Sequence, residues 1–375
     1  MNPKTLSSYR LPLVLGLAHG VSDGAAGLLL GSLATDSPGT QITLLVLIYN
    51  ALGFGAQPLI GYFADGVRSP RIFASGGMAL LAASLIGRGM GFGEIAVLMA
   101  GLGSAAFHVG AGALTLRSCD GRSDAAGLFA APGVIGLAIG GAIAVSGHYL
   151  YLPFLVALLA LILVIHAWPL PLQQASLSKA PKEPIFESHD WIMIGLLTAV
   201  ALRSLLWTSF QLANSGQITA LVALGVAAGI GKLVGGFAAE RLGYRRWTLL
   251  SLLIAAPLLA FAGKKLALLL PGVALLQSSI PCSIAAMARL LPARPATATG
   301  LVLGLAVALG GLPSLLAIPP ALTPAIALAI ILVAAVGFWF TTEPRPDQLG
   351  ARSYNLGARR GGSPSLVGRG SRIAK

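Results

Sequence analysis

The chain has 375 residues, of which 56% are hydrophobic and only 10% charged. Soluble domains carry about 25% charged residues, so this chain cannot cover a water-facing surface and reads as an integral membrane protein. Its formal net charge of +13 would suggest nucleic acid in a soluble protein, but here the basic residues sort by side of a membrane, and nucleic acid is not an expected partner.

A membrane-spanning helix needs about 20 mostly apolar residues. In chain order such stretches fall at about 11–33, 41–64, 71–88, 93–117, 123–147 and 149–171, then at about 191–212, 217–239, 246–263, 266–291, 296–318 and 320–342. The expected fold is therefore all-α: twelve transmembrane helices in two six-helix halves. Residues 1–172 form the first bundle, 173–190 a polar cytoplasmic linker and 191–342 the second bundle. The Gly-, Ser- and Arg-rich stretch 343–375 is expected to be a disordered basic tail near lipid headgroups. Lys4 and Arg10 precede the first apolar run as in a signal peptide, but that run is too long and holds His19 and Asp23, which favours a retained first span.

With the N-terminus in the cytoplasm, twenty Lys and Arg fall on the inner side, three on the outer side and two, Arg203 and Lys232, inside spans. That asymmetry favours an even number of spans with both ends inside. Cys119 and Cys282 have no paired spacing, so neither a disulfide framework nor a thiolate metal site is indicated. No metal site and no cofactor are expected.

Two similar loops lie 175 residues apart. After the eighth span come Gly236, Glu240, Arg241, Gly243, Arg245 and Arg246; after the second come Gly61, Asp65, Gly66, Arg68 and Arg71. In each a glycine lets helices approach, an acid ends the helix and basic residues hold the next helix start at the inner face. Both are read as gating loops. The second matches the inner-loop signature of the major facilitator superfamily, which the chain resembles; the first departs from it, with Gly66 where a basic residue is usual and Arg68 where glycine is usual. The resemblance implies a transporter of small solutes that works by alternating access at a midplane cavity.

Within that superfamily the chain looks most similar to the fosmidomycin resistance type of drug exporter. The supporting stretches are His19 to Asp23, Gly103 to His108, Leu202-Arg203-Ser204, and Gly300 to Gly304 through Gly310-Gly311. Val109 departs from the proline usual there. Gly127, Gly136 and Gly140-Gly141 in span 5 resemble part of a glycine-rich antiporter motif.

Charges inside a bilayer cost several kcal/mol and mark functional candidates. Asp23, His108 and Arg203 lie near the middle of spans 1, 4 and 7, and His19 is one helical turn from Asp23. The resemblance implies that spans 1, 4 and 7 line the cavity, which would gather all four around one aqueous pocket. Asp23, His19 and His108 are the proton-coupling candidates. Arg203 suits an anionic substrate, and Asn50, Gln57 and Gln277 are further substrate-binding candidates.

The expected function is secondary active transport, as proton-coupled efflux of a drug or metabolite. A proton-coupled importer is the alternative, and a non-transporting sensor on the same fold a third reading. An intramembrane enzyme lacks support: no metal-spacing cluster, nucleophile elbow or phosphate-cradling glycine loop is evident. The expected setting is a cell inner membrane, with a monomer facing lipid, protons and a small-molecule substrate.

Overall fold

A computed structural model describes residues 8–37, 39–169, 188–315 and 323–342. All regular structure among the described residues is helical. Twelve rods follow in chain order: α1 Arg10–Asp36, α2 Gly39–Val67, α3 Pro70–Gly89, α4 Gly93–Ser118, α5 Ser123–Val145, α6 Tyr151–Ala167, α7 Ser188–Ala213, α8 Ile218–Leu242, α9 Tyr244–Ala260, α10 Leu266–Leu290, α11 over 295–315, and α12 Pro324–Thr341. α6 and α9 have 17 residues each, while the other ten are long and apolar enough to cross a membrane. Each rod coincides with one expected span, with ends shifted by a few residues. Of the expected linker, only Ser188 to Asp190 fall among the described residues, where they begin α7; the expected tail 343–375 lies outside them.

Large apolar side chains face outward, as Leu163 at 70% and Phe340 at 71% exposure do. Lipid is as apolar as those side chains, so close packing of small residues holds the rods together. The seam of α1 and α5 is the clearest case: Cβ atoms at Gly136 and Gly140 would collide with the carbonyls of Gly20 and Gly24. Gly136 and Gly140 thus hold α5 against α1, while Gly127 faces Lys232 O and Gly236 of α8.

Three rods are interrupted. α2 contains a π turn over Ala51–Gly55, and α11 one over Gly300–Leu305. The two π turns meet, with Gly304 placed so that a Cβ would press on Phe54 O and Gln57. α10 breaks between Gln277 and Ile280, with Pro281 opening its second piece; Pro has no N–H to continue a helical ladder.

Candidate functional site

α1 and α4 bring His19, Asp23 and His108 together. His19 Nε2 lies 3.1 Å from Asp23 Oδ2 and 2.9 Å from His108 Nε2, and His108 Nε2 lies 3.7 Å from Asp23 Oδ1. The other ring nitrogens face main-chain carbonyls: His19 Nδ1 is 2.8 Å from Phe129 O, and His108 Nδ1 is 2.7 Å from Ser104 O. A carbonyl only accepts, so each Nδ1 carries the hydrogen and donates it. Both Nε2 lone pairs therefore point at each other and at a carboxylate, an arrangement that is repulsive until a positive charge enters it.

The surroundings fix this geometry. Phe129 stacks on the His19 ring at a centroid distance of 4.6 Å, and Phe107 packs beside both imidazoles. Gly133 leaves the space that the His19 ring fills, since a Cβ there would overlap Nε2. Tyr49 of α2 is buried beside Asp23. Three metal-capable side chains thus lie with their ligand atoms within 4.8 Å of one another. This corrects the expectation of no metal-ligand cluster: His19 and Asp23 are one turn apart, but the third ligand comes from a distant helix, which spacing along the chain does not reveal.

Arg203 stands apart from this group. It is buried in α7, Nη1 donating to Gln277 Oε1 at 2.8 Å and Nη2 to Ser204 Oγ at 3.1 Å, while Nε has no partner. Among the described residues no acid pairs with it. The cation whose charge acts on Asp23 from the other half is instead Lys232 of α8, with Nζ 3.5 Å from Ala130 O. Gln57 is buried too, donating to Gly53 O at 2.6 Å.

A cavity of about 540 Å³ lies between the helices, bounded by α2, α5, α7, α8 and α11. Asn50, Trp207, Thr208, Gln211 and Ser215 supply its polar groups; among the described residues the rest of the wall is aliphatic, aromatic or glycine, with no charged side chain. Of the expected binding residues only Asn50 lines it. Neither the cluster nor Arg203, Gln57 or Gln277 reaches the wall, so the single pocket expected around spans 1, 4 and 7 is divided into a cavity and a separate buried cluster.

α1 begins at what we term the near end, where α2, α4, α8 and α10 finish. Two carboxylates bridge helices there. Asp65 Oδ1 accepts from Ala296 N at 3.1 Å, and Oδ2 from Thr297 N and Oγ1 at 2.8 Å each, which caps the start of α11. Glu240 Oε1 accepts from Ser123 N at 2.8 Å and Oγ at 3.0 Å, at the start of α5, and from Tyr244 Oη at 2.6 Å. A helix start offers N–H groups without intrahelical partners and a positive dipole end, so a carboxylate suits both places. Gly61 and Gly236 lie one turn before each acid, where a Cβ would press on Ala296 O at 2.6 Å or Ser123 O at 2.5 Å. The cavity, built from the opposite ends of the same rods, lies away from these latches.

No protein-family model matches the sequence, and no curated protein matches it. Among solved structures, the chain is similar to the E. coli fucose:proton symporter FucP, with 13% identity over 90% of this chain and 98% of that one and a TM-score of 0.64. It is also similar to FucP described as a major facilitator superfamily transporter in the outward conformation, with 15% identity over 90% of this chain and 100% of that one and a TM-score of 0.67. The chain has the major facilitator fold.

In this major facilitator fold the remaining loop residues take varied places. Arg71 donates to the carbonyls of His166 at 3.1 Å and Trp168 at 2.6 Å, closing the end of α6 rather than joining the α2–α11 latch. Arg245 stacks over Trp339 of α12, 3.1 Å from the ring centroid. Arg68, Arg241 and Arg246 are exposed. Sequence reading missed Ser123, Thr297, Tyr244, Ser104 and Tyr49, small or hydroxylated residues whose roles arise only across helices. Lys232, a lysine inside a span, carried the one available signal.

Proposed function

We propose that this chain is a secondary active transporter that carries a small solute through the interhelical cavity by alternating access. The observation that carries the reading is that cavity, bounded by helices of both halves and closed at the near end by the Asp65 and Glu240 latches. The positive-inside count supports a cytoplasmic near end and cytoplasmic termini, as in a cell inner membrane; the cavity then opens outward. In the cycle the bundles 1–172 and 191–342 rock about the cavity, the latches part and the far ends close.

The proton is the coupling ion of this reading. Asp23, His19 and His108 hold it where their lone pairs converge, and Lys232 of α8 senses the charge from the other half. Export is the direction proposed, because the stretches resembling drug exporters include the cluster itself. Import is the second reading, favoured by the likeness to a proton symporter. The uncharged cavity wall suits a neutral, largely apolar solute with one or two hydrogen-bonding groups; Arg203, engaged with Gln277, supports no anionic substrate there.

Proteoliposomes with an imposed pH gradient test this. Neutral lipophilic solutes are expected to trigger proton movement and to move against it in wild type, while Asp23→Asn keeps solute binding but loses the driven step. Driven transport unchanged in Asp23→Asn would remove the cluster from coupling, and accumulation in cells rather than efflux would favour import.

A further inference from the structure

We propose that His19, Asp23 and His108 form a binding site for a divalent first-row transition-metal ion of the zinc and cobalt class. The proposal stands on the geometry of the cluster and does not depend on the transport reading.

Zinc takes imidazole nitrogen and carboxylate oxygen at about 2.0–2.2 Å, so neighbouring ligand atoms around one ion lie about 3–3.5 Å apart. The two Nε2 atoms are 2.9 Å apart, His19 Nε2 is 3.1 Å from Asp23 Oδ2 and His108 Nε2 is 3.7 Å from Asp23 Oδ1, so each imidazole faces its own carboxylate oxygen, and one ligand atom from each residue lies within 4.8 Å of the other two. With Asp23 binding through both oxygens, a single ion between them can reach both imidazoles. The ligand set is of the right chemistry, since imidazole suits zinc, cobalt and nickel and a carboxylate offsets part of the charge.

The outer shell is an independent observation. In metal sites a ligating histidine commonly donates its second ring N–H to a carbonyl or carboxylate, which fixes the tautomer and aims the free lone pair. Both histidines do so, through Phe129 O at 2.8 Å and Ser104 O at 2.7 Å. Each thereby presents an unprotonated Nε2 to the same point, the form a metal requires. Asp23, with 13% of its side chain exposed, gives the point its access, and water completes the coordination. One feature opposes the ion: the Lys232 ammonium, whose charge acts on Asp23.

Full-length protein in detergent, stripped by chelator, is titrated with Co²⁺ while its visible ligand-field absorption is followed, and Zn²⁺ is then added in competition. One equivalent of Co²⁺ is expected to give the bands and Zn²⁺ to abolish them. Asp23→Asn and His108→Gln should each weaken binding by about tenfold or more, a loss of the size that even outer-shell changes produce. Gly133→Ala, which donates nothing to a metal but would displace His19 Nε2, should weaken it similarly. Lys232→Gln should tighten it several-fold, and His148→Gln, a histidine in the loop after α5, should leave it unchanged. Folded wild type without absorption change, or equal binding in the triad variants, overturns the proposal. Metal binding without solute transport would defeat only the function proposed above, and transport without metal binding would defeat only this inference.

Discussion

The two near-end latches are built alike and loaded differently. Each places a glycine one turn before an acid at the end of a helix, and each acid caps the start of a helix across the interface. Asp65, its side chain 5% exposed, takes two backbone N–H groups and one hydroxyl, with Arg117 4.0 Å away. Glu240, 17% exposed, takes one N–H and two hydroxyls, with Arg122 4.0 Å away. The α2 loop departs from the inner-loop pattern that the α8 loop follows and still makes the more buried cap. Gly66 and Arg68 thus matter less to the latch than the spacing of Gly61 and Asp65, because capping depends on where the carboxylate points.

Asp65→Ala should produce the largest effect. It strands the Ala296 and Thr297 N–H groups and should cost on the order of 3 kcal/mol of latch stability, against about half that for Glu240→Ala, where the Ser123 hydroxyl keeps Gly236 O as an acceptor at 2.9 Å. Amide hydrogen exchange over 295–299 in the first variant and over 123–126 in the second would measure this, and equal effects would break the comparison. Gly61→Ala and Gly236→Ala should each wedge their latch apart at a cost of about 2 kcal/mol, read as lowered thermal midpoints in detergent.

Backbone conformation sharpens the contrast. Arg68 adopts φ 59°, and Gly243, at the same place in the second loop, φ 91° with ψ 143°. Arg68→Gly should stabilise the protein by about 1 kcal/mol, and Gly243→Ala should destabilise it by about as much or more. Thermal unfolding of the two variants with opposite signs is the expected outcome.

The smallest effect concerns support behind the second latch. Tyr9 donates to Asp124 Oδ2 at 2.6 Å, and Arg122 pairs with the same carboxylate. Burial, helped by that hydrogen bond, pushes the Tyr9 phenol up to about 12. A raised phenol favours the neutral folded form, so its contribution is complete below the ordinary value near 10 and is lost as pH climbs toward 12. Tyr9→Phe should flatten the fall in stability across that alkaline window, which thermal unfolding against pH would show.

The rods were legible in sequence because lipid demands long apolar runs, and the latch acids because they punctuate those runs. The rotation of each rod was not legible, since lipid-facing and core-facing residues are both apolar. His19 and Asp23 could be paired because one helix holds both. The resemblance, through spans 1, 4 and 7, implies Arg203 beside Asp23, yet the turn of α7 aims it at Gln277, next to the break in α10. Asn50 and Gln57 lie seven residues apart on α2, a spacing that shares a face in an unbroken helix; the π turn between them puts one on the cavity wall and the other against α11.

That π turn has a consequence for the latch beyond its neighbours. A π turn accommodates one residue more than an α turn, so all that follows is out of phase by about 100° with an uninterrupted helix. Asp65 lies beyond it, and the α11 bulge stands between Ala296 and the cavity wall in the same way. The two bulges act as angular offsets that let one face of each rod line the cavity while a different face carries the helix-capping contacts. Deleting a single residue within 51–55 would leave hydrophobicity and length almost untouched and still turn the carboxylate away from its cap.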